Sequence, residues 1–182
     1  MSKKALLVID IQNDYFKNGA WELVGSEEAS LQARKMIDHF RANDLPIAHI
    51  QHFATDGNIP FFHPGTAGAD IHENVRPAEG EKVVKKYYPN SFRETDLLEY
   101  LKSNGVTEVV ITGMMSHMCV DATTRAAKDL GFECTVISDA CASRDQELQG
   151  KVVKAEDVHT AFIAALTFFY ANVTTADEYI NA

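Results

Sequence analysis

Glu108-Val109-Val110-Ile111-Thr112-Gly113-Met114-Met115-Ser116-His117-Met118-Cys119-Val120-Asp121-Ala122-Thr123 reads as a strand, a turn and the start of a helix. The β-branched run closes at Gly113, and the Ala-rich stretch from Ala122 to Leu130 has helical character, so Cys119 falls just past the turn. A thiol delivered to the first turn of a helix meets unpaired backbone N–H groups and the positive end of the helix dipole. That setting favours a thiolate and can cradle an oxyanion. The competing reading is that a cysteine after a strand is a small buried hydrophobe, so its surroundings must decide.

Working outward, short β-branched runs alternate with longer segments of helical period, the pattern of a mostly parallel sheet with helices on both faces. Strands are expected at 5–9, 46–51, 82–86, 108–112, 133–138 and 172–174. Helices are expected from Ser26, as an N-cap before Glu27 and Glu28, to Ala42, and at 93–104, 121–129 and 155–170. In the last of these Val158, Phe162, Ala165 and Phe169 recur at helical spacing and are expected in the core. The stretch from Phe53 to Pro77, rich in Pro, Gly and aromatic residues, follows neither period and reads as a long ordered loop of functional kind. No linker interrupts the chain, so residues 1–182 are expected to form one domain.

At 182 residues such a domain buries about 70% of its unfolded surface without disulfides or metal staples. A formal charge of −9 disfavours nucleic acid or anionic membrane as partner and points to small molecules. The apolar run at the start breaks at Asp10, too short for a signal peptide, and no segment has the length of a membrane span. The 3 cysteines, Cys119, Cys134 and Cys141, are an odd number without CxxC spacing, which points to a reducing compartment, the cytoplasm. Cys134 and Cys141 read as structural.

Ligands of a parallel sheet gather at the carboxyl ends of its strands. There the first expected strand delivers Asp10, the third Lys85 or Lys86, and the fourth Cys119. A carboxylate can take the thiol's proton, an ammonium can hold negative charge, and a thiolate can attack a carbonyl or nitrile carbon. His117 is a further candidate to pair with the thiol. Consecutive strand residues face opposite ways, so only one of the two lysines serves.

The segments Ala5 to Phe16, Val83 to Phe92 and Val110 to Thr123, in that order, resemble the isochorismatase-like cysteine hydrolase superfamily, and the likeness runs on through Gly131, Val136–Ala142 and Val158-His159. The resemblance implies a three-layer α/β/α fold with a five- to six-stranded sheet and an Asp-Lys-Cys triad. The triad maps onto Asp10, Lys86 and Cys119, with Lys86 chosen by its interval to Phe92. It implies a cis peptide at Met114-Met115, an oxyanion hole from the N–H groups of Met115 and Cys119, and homo-oligomers, dimeric or higher. It also implies cleavage of a small amide or related C–N bond through a thioester. Alternatives are thiol-based redox or aldehyde-scavenging chemistry, a non-catalytic interaction subunit, and vinyl-ether hydrolysis, against which Cys119 itself counts. Substrate contacts are expected from Gln12, Phe16, Trp21, Phe53, Tyr88 and Met115, with Asp14 fixing the local turn. No cofactor is expected. The metal-binding branch carries an Asp-x-His pair where this chain has His49-Ile50-Gln51-His52-Phe53, so His52, His63 and His72 are read as packing or substrate residues rather than metal ligands.

Overall fold

A computed structural model describes residues 3–55 and 57–182. Its main sheet has six strands in the order β3-β2-β1-β4-β5-β8, every pairing parallel. The strands are β1 (Lys4–Ile9), β2 (Ile47–His52), β3 (Lys82–Lys86), β4 (Glu108–Met114), β5 (Glu133–Ala142) and β8 (Asn172–Thr174). A separate antiparallel hairpin pairs β6 (Gln146–Leu148) with β7 (Lys151–Val153). Helices α1 (Ser26–Ala42), α2 (Leu97–Ser103), α3 (Asp121–Asp129), α4 (Ala155–Thr167) and α5 (Ala176–Ile180) complete the elements.

The alternation of side chains along β1 builds the layers. Leu6 and Val8 point into one core with Ala33, Met36, Ile37 and Phe40 of α1 and Ala176 of α5. Ala5, Leu7 and Ile9 point into the other, with Leu97 and Leu101 of α2, Ala127 of α3, and Ile163 and Leu166 of α4. The result is the expected α/β/α sandwich. Phe40 and Met36 are sealed on the inner stripe of α1, and truncating either to alanine is expected to cost about 2–5 kcal/mol.

Strand order reverses between β1 and β4. The chain runs outward from β1 through β2 to β3, then returns to the other side of β1. Such a switch point opens a crevice beyond the strand ends, where Asp10 and Cys119 leave the sheet.

Several local expectations are corrected. The cap of α1 is Gly25, in the left-handed region at φ 75°, and Ser26 is the first helical residue. Helix α2 begins at Leu97 rather than Arg93, because Glu94 at φ 56° cannot belong to a right-handed helix. Helix α4 ends at Thr167, and its inner residues are Ala155, Val158, Ile163 and Leu166, leaving Phe162, Ala165 and Phe169 outside. The segment 155–169 is apolar nearly all round, so periodicity there does not choose a face. The β6–β7 hairpin and α5 are additions. The second carried a readable signal, a capping box between Thr175 and Glu178.

Candidate active site

Beyond the ends of β1, β2, β3 and β4 four side chains meet. Asp10 follows β1 at φ 52°, its N–H bonded to the Ile50 carbonyl at 3.1 Å. Lys86 closes β3 with its side chain sealed, while Lys85 faces out over the Phe53 ring. Cys119 lies in a π-helical turn, Ser116–Val120, that leads into α3. His52 ends β2, and Gln12 holds it there by accepting from the His52 N–H at 2.8 Å and donating to its carbonyl at 2.9 Å. Gly113 at φ 129° passes so close to Ile9 that a Cβ would strike the Ile9 backbone, so a glycine brings β4 against the end of β1.

Lys86 Nζ is the hub. It stands 2.7 Å from Asp10 Oδ2, 3.3 Å from Cys119 Sγ, 3.0 Å from His52 Nδ1 and 3.1 Å from the Tyr88 carbonyl. His52 Nδ1 lies 3.8 Å from Cys119 Sγ and 3.6 Å from Asp10 Oδ2. The 2.7 Å contact with Lys86 is the principal one of Asp10, whose carboxylate accepts from no backbone N–H among the described residues.

Burial dominates the electrostatics. It pushes the Cys119 thiol up to about 12, because Lys86 only partly offsets the loss of water and Asp10 adds repulsion. That direction runs against the thiolate expected from the helix terminus. Burial also works against ionised Asp10, but the attraction of Lys86 outweighs it and holds the carboxyl below its usual range. For Lys86 the same attraction to Asp10 overcomes burial and raises its pKa.

Asp10, His52 and Cys119 offer ligand atoms within 4.8 Å of one another, the spacing of a metal site. Lys86 Nζ already stands within bonding reach of all three, where a metal ion would sit, so the cluster carries its own cation. His63 and His72 take no part in it; His72 stacks on Phe16 at 3.5 Å and accepts from the Asn74 N–H.

The cluster opens into a cavity of about 570 Å³. Tyr15, Trp21, Phe61, Tyr87, Met115 and Met118 supply apolar walls, and His52, His117, Cys119 and Arg144 bring polar groups. The Arg144 guanidinium rests 3.9 Å over the Trp21 ring. Size and lining suit a small, partly apolar organic molecule.

The model for the isochorismatase domain matches residues 4–178. The chain belongs to the isochorismatase family. This hydrolase is 52% identical to the isochorismatase family protein YddQ of Bacillus subtilis over 97% of the chain and 98% of that protein. The crystal structure of a family member from Oleispira antarctica superposes with a TM-score of 0.95 at 50% identity, covering 100% of this chain and 97% of the other. N-carbamoylsarcosine amidase from Thermoplasma acidophilum superposes with a TM-score of 0.83 at 26% identity, covering 96% and 97%.

The isochorismatase-family site joins Asp10, Lys86 and Cys119 as their motifs implied, and the Met114-Met115 peptide is cis. Trp21 and Met115 line the cavity. The other expected substrate contacts stand elsewhere. Gln12 is sealed, bonded to the His52 backbone and the Ala69 carbonyl. Phe16 stacks on His72, Phe53 lies under Lys85, and the Tyr88 ring packs under Arg93 at 3.6 Å. Asp14 fixes the turn by accepting from the N–H groups of Ala20 and Phe62. His117 turns from the thiol to Ser143 Oγ, at 2.7 Å. Cys134 and Cys141 are buried and free. Tyr15, Phe61, Tyr87 and Arg144 were missed, and each comes from an irregular segment where no period marks a facing side.

Proposed function

We propose that this hydrolase cleaves a small amide or ureide with Cys119 as nucleophile, Asp10 as base and Lys86 as the charge that steadies both. The carrying observation is a sealed carboxylate paired with Lys86 and given no backbone N–H donor, within 4.8 Å of a thiol at the foot of an apolar cavity. A carboxylate so placed is within reach of the thiol proton and can take it as the sulfur attacks the carbonyl carbon. The Met115 and Cys119 N–H groups then serve the oxyanion. The C–N bond breaks with protonation of nitrogen, leaving a thioester that water hydrolyses to the acid. The fold shared with N-carbamoylsarcosine amidase supports C–N chemistry. The protonated resting thiol weighs against a redox-sensing role, which needs a standing thiolate.

The test is a panel of amides and ureides with released ammonia or amine as readout, compared with Cys119→Ser. Turnover that the serine variant lacks, with a thioester adduct trapped on Cys119, is expected. Equal turnover in the variant would remove the mechanism.

The reading extends to the assembly and its compartment. The outer side of α4 and its end carries Phe162, Phe168 and Phe169, with Phe168 94% exposed. No charged residue occurs from Val158 to Tyr170 in a chain of net charge −9, so two copies can meet there without like-charge repulsion. A second copy is the proposed occupant, and sedimentation of wild type against Phe168→Asp tests it. Three free cysteines support a reducing compartment, the cytoplasm.

A further inference from the structure

We infer that His52 is a fourth catalytic residue, the relay that passes a proton from Lys86 to the leaving nitrogen and later takes one from the attacking water. The inference rests on the amide reading and adds to it the route by which the buried proton reaches the cavity.

The geometry defines the direction of the relay. Asp10 and Lys86 are sealed from solvent, whereas His52 lines the cavity. An ammonium 3.0 Å from His52 Nδ1 must donate to it, so that nitrogen carries no proton at rest and the ring is the Nε2–H tautomer. Nε2 has no partner among the described residues and is not among the sealed polar atoms, so its N–H is presented to the open side. The same contact excludes His52 as base for the thiol, because a proton on Nδ1 would face the charged lysine. Gln12 fixes the His52 backbone on both sides and so fixes where the ring hangs.

The steps balance. As the S–C bond forms, Asp10 takes the thiol proton and negative charge moves to the carbonyl oxygen. As the oxyanion collapses and C–N breaks, the nitrogen takes the Nε2 proton while Nδ1 takes one from Lys86. Asp10 and Lys86 then share one proton across their 2.7 Å contact, Nδ1–H faces that pair, and the dry site of the thioester contains no net charge. Water then attacks, giving a proton to Nε2 as Nδ1 returns one to Lys86. The departing sulfur recovers the proton held by Asp10, and every group is back in its starting state.

His52→Asn separates relay from anchoring, since the asparagine oxygen can still accept from Lys86 but cannot pass a proton on. Two substrates separate the steps: the amide cleaved by wild type and not by Cys119→Ser, and p-nitrophenyl acetate, whose leaving group departs without a proton. Expected is a fall of about 100-fold or more in kcat for the amide, with acylation of Cys119 by the ester changed only a few-fold and melting temperature kept. An unchanged amide rate, or equal losses on both substrates, would overturn the relay. The second readout needs no substrate: imidazole ¹⁵N spectra of the wild type at pH 7.5, with His52 assigned by difference from the variant. They should show Nδ1 bare and Nε2 protonated, and Lys86→Met should release that preference. A wild-type Nδ1–H tautomer would sink the relay even if Cys119-dependent amide cleavage stood, while failure of all amides with the expected tautomer would strike the amide reading alone and leave the donor in place.

Discussion

The molecule builds the same trio twice along β2 and β3, once for chemistry and once for structure. In one, Glu81 lies between Arg41 and His49; in the other, Lys86 lies between Asp10 and His52. Glu81 is saturated: it accepts from Arg41 Nε at 2.7 Å, Arg41 Nη2 at 2.9 Å and the Ala78 N–H at 2.8 Å, and it pairs with His49 Nε2 at 2.9 Å. These bonds, the Arg41 pair foremost, hold its carboxyl down to about 2. Asp10 is more deeply buried, has Lys86 at 2.7 Å but no backbone N–H donor among the described residues, and has a thiol and a cavity beside it. A saturated carboxylate has no use for a proton, whereas an under-satisfied one in a dry site does. Composition does not separate the two trios; saturation does.

The contrast is broken most severely by neutralising each carboxylate. Asp10→Asn is expected to lower Cys119-dependent turnover about 10²- to 10⁴-fold, and Glu81→Gln to leave it within a factor of about 3, measured as kcat on the same amide. Comparable losses would erase the distinction.

The thiol sharpens it next. With Cys119 pushed up to about 12, alkylation by iodoacetamide should rise about tenfold per pH unit, roughly 100-fold between pH 7 and pH 9. A plateau near neutrality would mean a standing thiolate and a site organised differently.

Removing each cation compares the costs of burial. Lys86→Met leaves a sealed carboxylate uncompensated and should destabilise by about 3–5 kcal/mol in urea melts, with Asp10→Asn in the same chain recovering much of it. Recovery is the sign that the loss is electrostatic rather than steric.

The smallest effect is the stability difference of Glu81→Gln, about 1–2 kcal/mol at pH 7 after allowance for solvent screening. Its sign follows from a folded value near 2 against an ordinary 4.5. The contribution is fully present above pH 4.5 and disappears as pH falls through 2, so the gap between wild type and variant should close over that window. A gap independent of pH would assign the role of Glu81 to packing.

Much of this was legible in the chain. The strands of the main sheet sit within a few residues of their expected positions, because β-branched runs bounded by glycine and polar residues have few other uses. The β6–β7 hairpin escaped because none of its strand residues is buried, so no alternation of buried and exposed positions marks it. Helix α4 was legible as a helix but not as a face, because apolar residues occur on both its inner side, at Val158, Ile163 and Leu166, and its outer side, at Phe162 and Ala165. Among the histidines His117 drew attention by sequence proximity to Cys119, yet it bonds to Ser143, and His52, 67 residues from the thiol, stands beside it.

The sequence by itself determined the alternation of the main strands with helices and the delivery of Asp10, one of Lys85 and Lys86, and Cys119 to one rim, since period and strand ends are local properties. Tertiary structure alone decided that burial raises the pKa of the thiol, that Lys86 Nζ stands within reach of the carboxylate, imidazole and thiol, and that His52 faces the cavity. Those outcomes depend on how much water four distant segments exclude when they meet, and desolvation belongs to the assembled site, not to any segment of the chain.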